Sequence, residues 1–161
     1  MTGAERRWYV GEWPPLAWVE TAFKGVAQVL GIVALARAWG DDVSWPDGAR
    51  LAQLVILAVM SLGLLAAIAD RLAMREIISM VFVIPNVVAH WGMVFALATI
   101  PGPGSLFPWF CAAMLAGELA KLAFLRTSGF RVRDVSPAMV MGLTTAYAAG
   151  YGVLLLLELA V

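Results

Sequence analysis

Charge is scarce in this chain. Of its 161 residues only 14% are Asp, Glu, Lys or Arg, against about 25% in an ordinary soluble domain. There is one cysteine, Cys111, so no disulfide closes within the chain and no cysteine-rich metal or iron–sulfur site forms. The single histidine, His90, excludes a bis-histidine haem held by one chain. One histidine and scattered carboxylates are too few for a metal centre, and nothing in the sequence calls for a cofactor. Eleven Lys/Arg cancel eleven Asp/Glu. A nucleic acid, which is held by an excess of positive charge, is therefore not an expected partner.

What fills the chain instead is hydrocarbon. Apolar residues make up 62% of it, and the mean hydropathy is +0.86. A water-soluble fold of this size has no interior large enough to hide that surface, so most of the chain must have lipid as its solvent. A spanning helix needs about 20 mostly apolar residues. Five segments meet this, over residues 15–39, 51–69, 77–100, 106–125 and 137–160. They do not alternate as the strands of a membrane barrel would. The expected fold is therefore all-α, a single-domain bundle (1–161) of five transmembrane helices. Turn-rich 40–48 and Pro101-Gly102-Pro103-Gly104 break the helices on one side. Met1 to Trp13 lacks the apolar core and cleavage site of a secretory leader, so no cleavable signal peptide is expected.

Orientation follows from the arginines. Arg6, Arg7, Arg71, Arg75, Arg126, Arg131 and Arg133 fall on one side of a five-span chain, and only Arg37 and Arg50 on the other, beside Asp41, Asp42 and Asp47. The positive-inside rule puts the N-terminus inside and the C-terminus outside, in a cell (plasma) membrane. Trp8, Trp13, Trp18, Trp39, Trp45 and Trp109 lie near helix ends, where an amphipathic ring suits the headgroup zone.

Charges within a bilayer are expensive, about 2.5–3.5 kcal/mol each on insertion scales, and mark a functional site by default. Four lie well inside the expected spans, away from their ends: Glu20 and Lys24 on the first, and Glu118 and Lys121 on the fourth. Glu20, Lys24 and Gln28 repeat every four residues and form one stripe. At 1.5 Å per residue, Glu20 lies roughly 8 Å and Lys24 roughly 14 Å from the inner boundary, against roughly 7 Å for Lys121 and 11 Å for Glu118 on a returning helix. Neighbouring first and fourth helices would thus bring Glu20 level with Lys121 and Lys24 level with Glu118. The competing arrangement pairs Glu20 with Lys24 and Glu118 with Lys121 along their own helices.

The third span adds Pro85, which is expected to kink the helix and free a carbonyl, and Asn86 and His90, which share a face with Ser79 and can partly satisfy each other. On the fifth span Thr144, Tyr147 and Tyr151 share a face at overlapping depth. Gly142, Ala146 and Gly150 form a small-residue stripe expected to pack against another helix. Glu158, near the outer end, is expected to reach water. Ser61 and Gly63 carry no signal, the second span is expected to face lipid or a partner, and Cys111 is expected to be an inert packing thiol.

Glu20, Lys24, Gln28, Asn86, His90, Glu118, Lys121, Tyr147 and Tyr151 are thus the expected ligand-binding set. Three functions fit it. The first is binding of a membrane lipid or another small, lipid-soluble amphipathic molecule, or service as a membrane subunit with a protein partner or a second copy. The second is acid–base catalysis on a lipid or isoprenoid-like substrate, with His90, Glu118, Glu20 and Tyr147 as candidate catalytic groups. The third is a dimeric transporter or proton path. No motif here assigns the chain to a family.

Overall fold

The computed structural model describes residues 13–73, 77–128 and 136–159. It has five helices: α1 (Pro15–Ala38), α2 (Gly48–Ala73), α3 (Ile77–Leu97), α4 (Leu106–Thr127) and α5 (Pro137–Glu158). Proline sets two of the starts. Pro15 opens α1 and Pro137 opens α5, where a missing N–H costs nothing. Ser136 caps α5, its side chain accepting from Met139 N at 3.2 Å. α3 stops at Leu97, three residues short of the expected end, because the chain turns through Ala98 and Thr99 before Pro101. It runs unbroken through Pro85.

The helices close a ring. α1 packs on α3 and α4, α4 on α5, α5 on α2, and α2 back on α3. The expected adjacency of the first and fourth helices is therefore formed, and α1 is tied to both halves of the polar set. The loops after α1 and α3 meet at one end of the bundle. There Ser44 N donates to Ala98 O at 2.8 Å and Ile100 N to Asp42 O at 3.2 Å, around a Val43–Thr99 bridge.

Small residues set the tightest crossing. Ala27, Gly31, Ala34 and Ala38 line the buried face of α1. A Cβ at Gly31 would overlap the Ala89 carbonyl of α3, and one at Gly92 would stand 2.7 Å from Gly31 O. These backbones touch, which is how membrane helices gain dispersion energy without a hydrophobic drive. The expected stripe on α5 behaves differently. Gly142 and Ala146 are exposed, and only Gly150 packs, against Met60 Sδ of α2. Small-residue spacing marks a face that permits close approach, but the ring order decides which faces have a neighbour.

α1, α2 over Gly48–Ala66, α4 and α5 are each long and apolar enough to cross a membrane, and α3 is apolar through Val81–Leu97 as well. Large apolar side chains face outward on all five helices, among them Val29, Val59, Val81, Leu119 and Leu156. A surface of that kind suits hydrocarbon rather than water. The chain is a polytopic helical membrane protein. The orienting Arg6, Arg7, Arg75, Arg131 and Arg133 lie outside the described residues, as do Trp8 and the side chains of Arg71 and Ser79.

Candidate functional site

The polar stripe of α1 points into the bundle. Lys24 Nζ lies 2.7 Å from Glu20 Oε1 on its own helix and 2.7 Å from Glu118 Oε1 on α4. One pair of the crossed arrangement, Lys24–Glu118, and one of the local arrangement, Glu20–Lys24, are therefore formed together, with one ammonium bridging two carboxylates. Access to Glu118 depends on its neighbour Gly117, where a Cβ would sit 3.0 Å from Lys24 Cγ. The missing side chain is the groove through which the lysine stem crosses to α4. The cluster is not sealed: the Glu20 and Lys24 side chains are each 16% exposed, and that of Glu118 only 7%. Lys121, a turn further along α4, is half-buried. Gln28 Nε2 reaches the Phe82 carbonyl of α3 at 3.4 Å.

A second pair lies next to this cluster. His90 is fully buried, with Nδ1 2.6 Å from Asn86 O and Nε2 2.5 Å from the Tyr151 hydroxyl. A carbonyl only accepts, so Nδ1 carries the proton and donates to it. In the neutral ring Nε2 is then the acceptor, and Tyr151 donates. Phe110 closes edge-on against His90, with ring centroids 5.1 Å apart. Lys24 and Glu118 are close enough to act electrostatically on the imidazole. The expected mutual satisfaction of Asn86 and His90 thus occurs through the Asn86 backbone. The Asn86 side-chain Oδ1 is buried with no hydrogen-bond partner among the described residues.

Not every expected member joins these groups. Tyr147 turns toward α2 and donates to Met60 O at 2.8 Å, over Gly63, where a Cβ would collide with the hydroxyl. Gly63 thus has a packing role that its sequence context did not reveal. Buried Thr144 donates back to Val140 O of its own helix, and buried Ser61 to Leu57 O. Cys111 is buried in the apolar core as expected. α2 is more than a lipid-facing helix, because Gln53, Leu54, Leu57 and Ser61 point inward.

The sequence reading missed Gln53. It is fully buried, and its Nε2 donates to Glu158 Oε2 of α5 at 2.8 Å, so Glu158 is half-buried rather than simply reaching water. Gln53 Oε1 has no partner among the described residues. The signal was available: an amide standing in the apolar run that follows Arg50.

Chemically, the Lys24 cluster can hold a polar group by charge-assisted hydrogen bonds, whereas both nitrogens of His90 are already engaged. Among the described residues no group of three or more His, Cys, Asp or Glu is placed to hold a metal ion. No family model, curated protein or solved structure matches the chain.

Proposed function

We propose that the chain spans the bilayer five times, with its N-terminus inside, and binds the polar end of a small amphipathic, lipid-like molecule at the Lys24 cluster. One observation carries this reading. A lysine and two carboxylates on α1 and α4 lie within an apolar bundle, incompletely covered, and α3, which packs on α1, carries the buried, unpartnered Oδ1 of Asn86. A cluster serving only to fix helix register has no use for partial access or an unsatisfied amide. A ligand arriving from the lipid would satisfy both.

The test is mass spectrometry of small molecules extracted with the gently solubilised protein. The wild type should carry one defined amphipathic species in near-stoichiometric amount, and Asn86→Ala and Glu118→Gln should each lose it while keeping their helical content. The same lipid mixture on wild type and both variants would overturn the reading. A second reading, docking of a membrane-protein partner or another copy, is favoured by the outward Gly142–Ala146 face of α5, which has no neighbour within the ring.

A further inference from the structure

Where the loops meet, at the end of α1 away from Glu20, the surface opens into a cleft of about 440 Å³. Ala34, Arg37, Ala38 and Asp41 form one wall, and residues 101–106 form the other. The cleft is open because its walls are short: alanines on α1, and prolines and glycines in the loop. Gly102 and Gly104 hold φ of 86° and 54°, which side chains disfavour.

Two features define what fits there. The first is level. Trp39, Trp45 and Trp109 surround this end and are 78%, 77% and 68% exposed, which places the cleft at the depth where amphipathic rings meet lipid headgroups. The second is charge. Arg37 and Asp41 are four residues apart and line the same cleft. Neither belongs to an ion pair among the described residues, with each other or with any other group. The lining of the cleft therefore presents the Arg37 guanidinium and the Asp41 carboxylate, both with free hydrogen-bonding capacity, while the Arg50 guanidinium lies beside Gly102 at its rim.

We propose that this cleft binds the zwitterionic headgroup of an aminophospholipid, with its phosphate on Arg37 and its primary ammonium on Asp41. The guanidinium fork matches two phosphate oxygens. The carboxylate accepts from an N–H that a trimethylated headgroup lacks, and it repels a headgroup that carries only negative charge. Ala34, Ala38 and Leu106 supply apolar contact below, where the glycerol backbone and first acyl carbons would lie.

The inference rests on the membrane-spanning part of the proposed function, and carbonate extraction of the wild-type chain from liposomes tests that part alone: release into the supernatant overturns the spanning reading. For a chain that stays in the membrane, the probes are dioleoyl phosphatidylethanolamine, phosphatidylcholine and phosphatidylglycerol, presented in mixed micelles and read by native mass spectrometry. Phosphatidylethanolamine should be retained roughly tenfold better than phosphatidylcholine, the value of about one charge-assisted hydrogen bond. Arg37→Gln and Asp41→Asn should each abolish that preference. Equal retention of all three lipids by the wild type would overturn the inference, and so would a preference for phosphatidylglycerol. A preference lost in Glu20→Gln but kept in Arg37→Gln would overturn it too, and would assign the lipid to the Lys24 cluster.

Discussion

Two glutamates, one midway along a helix and one at a helix end, have met the same problem differently. Glu118 on α4 is nearly covered, and its charge is answered by Lys24, reaching over Gly117. Glu158, in the last turn of α5, is half-buried, and its partner is the neutral amide of Gln53. A carboxylate at a helix C-terminus also faces the negative end of the peptide dipoles. The comparison teaches that burial depth sets the partner. A nearly covered carboxylate is answered by a cation, whereas a half-buried one at a helix end is served by a neutral amide.

The largest expected effect comes from removing the cation. Lys24→Met removes the ammonium that bridges Glu20 and Glu118, and should cost about 3–5 kcal/mol, read as a fall in thermal unfolding midpoint in detergent. If the midpoint does not move, the cluster is more open to water than its geometry implies. The same substitution at the two glutamates sharpens the contrast. Glu118→Gln should destabilise by about 1–3 kcal/mol, because Lys24 keeps a hydrogen-bond acceptor but loses a charge. Glu158→Gln should change stability by less than about 1 kcal/mol. Equal costs at both positions would remove the distinction drawn here. The smallest effect belongs to Gln53→Leu, expected within about 1 kcal/mol of wild type, since the bond it breaks is offset by removal of an unpartnered oxygen.

Much of the inner site was legible because helix periodicity and depth are both simple functions of residue number. The four-residue spacing of Glu20, Lys24 and Gln28, and the counting that levels Lys24 with Glu118, needed only the rise per residue. Sequence could not say that Lys24 would serve both carboxylates, because that depends on Gly117 lying opposite the lysine stem. The Tyr151–His90 bond was half visible: the depths matched, but whether Tyr151 or Tyr147 would turn toward α3 follows from the order of the ring. The same order exposes Gly142 and Ala146 and buries Gly31 against Ala89, although both sets have small-residue spacing. Gln53 was passed over because a single uncharged amide barely alters the hydropathy of an apolar run.

The ring order bears on how the bundle is made. α1 has no extensive contact with α2, the next helix to be synthesised; its neighbours, α3 and α4, come later. In the five-span arrangement α1 must therefore enter the bilayer before Glu118 exists. The Glu20–Lys24 contact within α1 lets it cross as a self-neutralised rod. When α4 arrives, the ammonium need not change partners, only add one. In the proposed five-span arrangement the four-residue spacing would give Lys24 a counter-charge on its own helix before α4 is made, and that contact remains as one arm of the finished cluster.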